Sequence, residues 1–255
     1  MKLLAFNING PTAFFKTNAF NAADMNFTYG QIHKIVLLGI LGAKIGLNGH
    51  SKSYLKGNGT YIHPEFYEKL KDSRIAIVPK SPNFIFEKKN YTFTNRCGYS
   101  KAGSQGQTLM YTEQWLHNVG WDIYMDTAKL DATISEKLED YVVNSKSVYP
   151  LYLGKTNHFA DVNNGRIVEA KELFKNEEVV IKSLFKQDFI KEITADIFDD
   201  DKVFIDVREN LPSRYADDCC SYVSDTYCLT NKDVLLKESE DYSLVTVDNI
   251  NICLL

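Results

Sequence analysis

Residues 27–49, FTYGQIHKIVLLGILGAKIGLNG, join an aromatic and basic lead-in (Tyr29, His33, Lys34) to a run that is apolar on nearly every side. From 35 to 47 only Lys44 is charged. A helix without a polar face is a buried one. This run of about 13 residues is well short of the roughly 20 that a membrane span needs, so the pattern predicts a core helix. Gly39, Gly42 and Gly46 follow at three and four residues and therefore share a face. They would let another backbone come close, at up to about 1 kcal/mol each in helix propensity, and tight packing on a sheet is the simplest use of them.

Around this helix the pattern alternates between strands and helices. Residues 2–9 read as a strand closed by a Gly10-Pro11 turn. A loop over 12–30 carries Phe14, Phe15, Lys16, Phe20, Phe27 and Tyr29, and a second, basic loop begins at 50. Pro64 opens a short helix over 65–71. Residues 74–79 and 83–94 read as strands, the second with aromatics at 84, 86, 91 and 93. Residues 95–107 hold three glycines, Arg96 and Lys101 without a large aliphatic, and predict a loop tip. Strands at 108–116 and 120–126 complete a long hairpin. Residues 131–144 are helical, with Leu130, Ile134, Leu138, Tyr141 and Val142 on one stripe. A short strand at 148–154 closes on Gly154, before Lys155, Asn157 and His158.

The order strand, helix, strand, strand, helix, strand is that of an α+β, ferredoxin-like or RNA-recognition-type fold. Beyond about 175 the chain turns acidic, with 177–185 and 202–210 as plausible strands and Asp199 to Asp201 as an exposed turn. Two regions are therefore expected: 1–175, including a hairpin over about 80–126, and an acidic, β-rich 176–255.

Composition adds one fact. The 255 residues are 44% hydrophobic and 24% charged, ordinary for a globular protein. The net charge of -4 hides a division: residues 1–125 carry 14 Lys+Arg against 7 Asp+Glu, and 126–255 carry 15 against 26. A basic half points to nucleic acid or another anionic partner. No secretory signal is visible, so a cytoplasmic location is expected. The five cysteines (97, 219, 220, 228, 253) show no paired metal-ligand spacing and are expected reduced. GILGAKIG has neither dinucleotide-fingerprint nor P-loop spacing, no HExxH or GxSxG motif occurs, and the aspartates at 196–201 lack the spacing of a calcium loop. No cofactor and no metal are expected.

Two chemistries remain. Metal-free RNA cleavage needs a general base for the 2′-hydroxyl and an acid for the leaving oxygen. Tyr29, His33 and Lys34, with His117, are the candidates, Tyr29 and His33 being four residues apart. Binding without cleavage needs cations for phosphates and aromatic platforms for bases. Lys16, His33, Lys34, His50, Lys52, Arg96, Lys101, Lys155 and His158 are interleaved with Phe14, Phe15, Tyr29, Tyr54, Tyr99 and Phe159. Most lie in loops, where function concentrates.

The segments GPTAFFK, FTYGQIHKIVLLGILGAKIGL, YEKLKDSRIAIVP, EQWL and YPLYLGKTNHFAD, in this order over about residues 1–165, resemble the fifth CRISPR-associated (Cas) protein family in its type I-B form. The acidic part resembles it only through ENLP and the tyrosines after it. The resemblance implies a RAMP-superfamily subunit of Cascade, the CRISPR surveillance complex of antiviral defence. Such a subunit has a modified RNA-recognition fold with a β-hairpin thumb, and caps the 5′ handle of the CRISPR RNA.

Its partners would be that handle, the neighbouring backbone subunit, the large subunit and, indirectly, target DNA; no membrane is implied. By the same resemblance Gly154 and Lys155 belong to a glycine-rich RNA-contacting loop, and the thumb tip over Gly98 to Gly106 would press between handle and spacer. The type I-C branch cleaves precursor RNA with tyrosine, lysine and histidine, whereas the I-B branch leaves that step to a separate endonuclease. No catalysis is therefore expected. The RNA contacts expected are Lys16, Tyr29, His33, Lys34, Lys52, Arg96, Tyr99, Lys101, Gly154, Lys155 and His158. Lys44 within the apolar helix and Cys97 beside Arg96 depart from the family pattern.

Overall fold

The computed structural model describes residues 1–17, 25–57, 60, 62–96, 108–173, 177–194, 203–218 and 221–255, without the side chains of 95, 96, 108 and 109. In chain order the elements are β1 (Lys2–Ala13), β2 (Met25–Asn26), α1 (Lys34–Ile45), α2 (His50–Lys56), α3 (Glu65–Leu70), β3 (Arg74–Pro79), β4 (Glu87–Arg96), β5 (Thr108–Asp126), α4 (Ala132–Val143) and β6 (Asp161–Glu169). Then come β7 (Lys171–Glu172), β8 (Val179–Val180), β9 (Phe185–Lys186), β10 (Ile190–Thr194), β11 (Asp206–Tyr215), β12 (Tyr222–Thr230), β13 (Asp233–Leu236), β14 (Ser243–Val247) and β15 (Ile250–Leu254). The fold is mixed α/β, with strands predominating.

The main sheet runs β6-β1-β5-β3, every pair antiparallel, with Leu4 opposite Ile167 and Met125, and Ile77 opposite Ile123. β5 is its spine. Its second half pairs with β1 and β3. Its first half pairs with β4, from Glu87 opposite His117 to Arg96 opposite Thr108, and so extends past the end of β1 at Ala13 opposite Leu116.

Side-chain alternation divides the apolar residues between the two faces. Leu4, Phe6, Ile8, Trp121, Ile123 and Met125 pack with Leu37, Leu38 and Leu41 of α1 and Leu138 and Val142 of α4. Leu3, Ala5, Ala76, Val78 and Tyr124 meet Val245, Val247, Ile252 and Leu254 of the β14–β15 hairpin. At about 1.5–3 kcal/mol for each large apolar side chain buried, both faces contribute. The buried Trp121 indole donates to Gln31 Oε1 at 2.9 Å, and the Gln31 amide donates to the Phe84 carbonyl at 2.6 Å. No polar group of that pair is left unsatisfied.

Several expectations need correction. β1 does not end at Gly10-Pro11: Gly10 pairs with Val119 and Thr12 with His117, and Pro11, which has no N–H to give, falls at the skipped rung between them. The two strands expected over 108–126 are one strand of 19 residues, held on both sides by partners. β4 begins at Glu87 rather than 83, after Phe84 adopts φ 60°.

The strand expected at 148–154 is a compact loop that includes a single bridge, Tyr152 to Phe159. Its Leu151 and Leu153 are buried and Tyr152 exposed, which imitates strand alternation. The strand that pairs with the free side of β1 is instead β6. α2 was expected as loop; of its residues only Ser53 is buried, so no apolar stripe announces it.

The glycines of α1 pack on a helix rather than a sheet, since a methyl on Gly42 would overlap the Phe66 side chain of α3. Gly46 acts as a cap. At φ 82° it lets Leu47 N–H reach the Gly42 carbonyl at 2.8 Å and its own N–H reach Ala43 at 3.3 Å, a Schellman termination. Lys44 is buried within this helix, and burial holds its pKa below the usual lysine range. At α4, Asp131 caps the N-terminus by accepting from the N–H groups of Thr133 and Ile134.

The acidic region shares the core across residue 175, as Leu184, Leu211, Tyr215, Tyr227 and Leu229 join the α1 cluster. Of its expected strands, 177–185 contains β8 and the first residue of β9, and 202–210 contains the start of β11. β11 packs against α1. It is pinned there by Glu209, which accepts from Gly30 N–H at 2.7 Å, and by Tyr215 N–H, which donates to the Tyr67 hydroxyl at 3.3 Å. The aspartates at 196 and 199–201 lie outside the described residues, as do Cys97, Cys219 and Cys220. Cys228 and Cys253 are free and buried.

Candidate nucleic-acid interface

The loop over 148–160 is fastened to the end of β1, where Phe14 N–H donates to the Leu153 carbonyl at 3.1 Å. Gly154 makes the approach possible. It adopts φ 90°, and a methyl there would overlap the Phe14 carbonyl, so the position admits glycine alone without displacement. This turn delivers Lys155, whose ammonium lies 2.6 Å from Glu113 Oε1 and 5.4 Å from the centre of the Phe14 ring. The other Glu113 oxygen accepts from the Trp115 indole at 2.9 Å.

Beside this turn runs a cleft with two halves. The polar half, about 560 Å³, is lined by Phe14, Phe15, Lys16, Asn26, His33, Val36, Tyr111, Glu113, Gly154, Lys155 and Tyr222. The apolar half, about 530 Å³, lies over α1 between α2, Phe66 of α3, residues 149–152 and the β11–β12 hairpin. Val36, Gly154 and Tyr222 line both halves, which makes the cleft continuous.

Of the residues expected from sequence, Lys16, Gly154 and Lys155 meet in the polar half, and Lys52 stands exposed on α2 at the rim of the apolar half. Tyr29 is half-buried with its ring edge-on to His33 at 5.6 Å. The other expected contacts are placed differently. His33 is 5% exposed, burial lowers its pKa to about 3, and its Nδ1 has no hydrogen-bond partner among the described residues. It is a neutral wall residue, with no positive charge to offer a phosphate.

Lys34 is turned to the other side, where it donates to the Leu255 carbonyl at 3.2 Å, and burial lowers its pKa to about 8. His158 is fully buried, with Nδ1 2.6 Å from Thr12 Oγ1 and its ring edge-on to Trp115 at 4.5 Å; burial lowers its pKa too. The backbone of Arg96 closes β4 opposite Thr108, while its side chain, Tyr99, Lys101 and the hairpin tip lie outside the described residues.

The cleavage set does not assemble either. Tyr29 and His33 are neighbours, but Lys34 is engaged at Leu255 and His117 holds the Tyr91 hydroxyl at 3.0 Å on the hairpin. No cluster of three or more His, Cys, Asp or Glu able to hold a metal occurs among the described residues. Among the same residues, no helix is long and apolar enough to cross a membrane.

Sequence reading missed the ring stack on the β4–β5 hairpin. Phe93 stacks on Tyr111 at 5.3 Å and Tyr91 on Trp115 at 4.5 Å. Its period of two was a visible signal. Tyr149, Tyr152, Tyr215 and Tyr222 of the cleft were missed as well. The last two are among the tyrosines after ENLP, but no local pattern places them at the cleft, because tertiary packing brings β11 and β12 to α1.

No protein-family model matches the chain, and no curated protein matches it. Among solved structures it is similar to a chain of a CRISPR RNA-guided surveillance complex, with 12% identity over 92% of this chain and 91% of that one and a TM-score of 0.49. It is also similar to a CRISPR protein from Archaeoglobus fulgidus, with 8% identity over 99% of each chain and a TM-score of 0.49. A chain of a type III-B Cmr-beta complex bound to cognate target RNA and AMPPnP is 10% identical over 92% of this chain and 86% of that one, at a TM-score of 0.40. These structural neighbours are CRISPR proteins.

Proposed function

We propose that this chain is a non-catalytic CRISPR RNA-binding subunit of a type I-B Cascade surveillance complex, of the fifth Cas family, which caps the 5′ handle of the CRISPR RNA. The ordered motifs between residues 10 and 161 motivate the family reading. The strand order β6-β1-β5-β3, with α1 and α4 on one face, supports the ferredoxin-like core that this reading requires. The β4–β5 hairpin supplies a candidate thumb.

The observation that carries the reading is the convergence of Lys16, Gly154 and Lys155 with Phe14 in one cleft, from segments far apart in sequence. Cations for phosphates beside rings for bases are what a single strand needs. Across the sheet from α1, the β14–β15 hairpin covers Leu3, Ala5, Ala76 and Val78, which favours the cleft over that part of the sheet as the RNA path. The buried, neutral His33 and the engaged Lys34 favour binding over cleavage. The backbone and large subunits, with target DNA reached through them, are the further partners of this reading.

The test is incubation of the purified chain, alone and in its assembled complex, with end-labelled precursor repeat RNA in EDTA, reading cleavage and retention on one gel. Retention without cutting, stronger for the handle than for a scrambled sequence and weakened by salt, is the expected result. A single cut product would replace this reading with that of a processing endoribonuclease. Equal retention of handle and scrambled RNA would remove the specificity.

A further inference from the structure

We propose that the apolar half of the cleft is a pocket for one unpaired nucleobase, with Tyr222 of the acidic C-terminal region as its stacking wall. The inference rests on the RNA-binding reading above and adds a site that the N-terminal motifs do not reach. Val36, Gly39 and Ala43 form the floor on successive turns of α1, and the small side chains at 39 and 43 give the pocket depth. On one side Tyr222, 41% exposed, packs its inner surface against the rings of Tyr215 at 5.1 Å and His33 at 6.1 Å. Tyr215 is itself held, its hydroxyl 2.8 Å from His50 Nε2. Across the pocket Tyr149 and Tyr152 stand exposed on the 148–160 loop.

Charge and size choose the occupant. Among the described residues, no carboxylate lines the apolar half, and Lys52 is its one charged lining residue. The adjoining half presents Lys16 and Lys155, the latter paired with Glu113 at 2.6 Å, a pairing that an incoming phosphate would have to displace. A neutral, ring-lined pocket with cations at both ends complements a base carried between two phosphates. Its volume of about 530 Å³ falls within the roughly 300–1,000 Å³ of small-ligand pockets. The neutral His33 behind Tyr222 offers no charge to compete with stacking. Aromatic stacking of this kind tolerates any base, so the pocket selects an unpaired nucleotide rather than a particular one.

The test compares a fluorescein-labelled, unstructured 15-nucleotide RNA with the same RNA made fully abasic, titrated into the wild-type chain, Tyr222→Ala, Tyr222→Phe and Lys155→Ala, in the assembled complex where the chain alone does not bind. Expected is a loss of about 5- to 150-fold for Tyr222→Ala on the base-bearing RNA, retention within about twofold for Tyr222→Phe, and no further loss when Tyr222→Ala meets abasic RNA. Tyr152→Ala, on the exposed loop, serves the same comparison if Tyr222→Ala melts early.

RNA binding that responds to Lys155→Ala but is indifferent to Tyr222→Ala and Tyr152→Ala overturns the pocket and leaves the RNA-binding reading standing. Equal losses on base-bearing and abasic RNA mark Tyr222 as structural and overturn the pocket as well. If Tyr222→Ala loosens the assembled complex while RNA affinity is untouched, the occupant is a segment of a neighbouring subunit and the proposal is wrong. Failure of the wild-type complex to hold either RNA overturns the RNA-binding reading itself.

Discussion

The Lys155 ammonium and the Glu113 carboxylate form a 2.6 Å ion pair in which the carboxylate side chain is 6% exposed and the lysine 42%. The lysine thus faces the cleft already neutralised, and a phosphate must compete with Glu113 for it. Glu113→Gln keeps an acceptor for the Trp115 indole and releases the lysine. We expect it to tighten RNA binding and to steepen the salt dependence by about 0.7 in log–log slope, the increment for one more phosphate contact on a single strand. Titrations at several salt concentrations check this; weaker binding by the variant would contradict it.

Removing the other partner has a different consequence. Lys155→Ala leaves a shielded carboxylate with the Trp115 indole as its hydrogen-bond donor, and a cost of about 1–3 kcal/mol in folding stability follows. Thermal denaturation of Lys155→Ala beside Lys155→Ala/Glu113→Gln separates the two effects, because the double variant should recover most of the loss.

Gly154→Ala should displace the 148–160 loop, since φ 90° and the overlap with the Phe14 carbonyl both oppose a side chain. A loss above about 1 kcal/mol together with weakened RNA binding is expected. Gly49→Ala is the control for space, since a methyl there meets nothing within 4 Å; as the N-cap of α2 it should cost no more than about 1 kcal/mol and leave RNA binding near wild type.

Gly42→Ala forces α1 away from Phe66 of α3 and should cost about 1–3 kcal/mol by overpacking. Phe66→Ala alone should cost about 3–5 kcal/mol. Because the truncated Phe66 leaves room for the new methyl, the double variant should be more stable than the sum of the two losses predicts. Urea denaturation of the three variants measures that coupling.

His33 titrates near 6.5 when unfolded, whereas burial lowers its folded value to about 3. Between these values the unfolded chain binds the extra proton, so stability is full above pH 6.5 and is lost as pH falls toward 3, at no more than about 1.4 kcal/mol per pH unit. The buried His158, whose pKa is also lowered, acts with the same sign. Urea denaturation at pH 7, 6 and 5 should show His33→Asn with a shallower acid dependence than wild type. An unchanged slope would mean that His33 is not held neutral.

Local patterning made α1, α3, β3 and α4 legible from sequence, because the apolar spacing of Leu37, Leu38 and Leu41, or of Leu138 and Val142, acts over one or two turns. The charge division was legible as a sum over the residues of each half. What patterning misjudged was set by distant partners. Val119 and His117 carry β1 past Gly10-Pro11, and loop contacts at Phe14, not strand pairing, fix residues 148–154.

The sequence by itself determined the locally patterned elements α1, α3, β3 and α4, and that one half of the chain is basic. Tertiary structure alone decided which candidate cations face the cleft. His33 and His158 were surface candidates by type and became interior ones because of what packs upon them, Lys34 is half-buried and engaged at the Leu255 carbonyl, and β11, which leads into Tyr222, is held to α1 through Glu209 and Gly30, 179 residues apart. Burial, and with it charge, depends on contacts between residues remote in sequence, and no local periodicity encodes those.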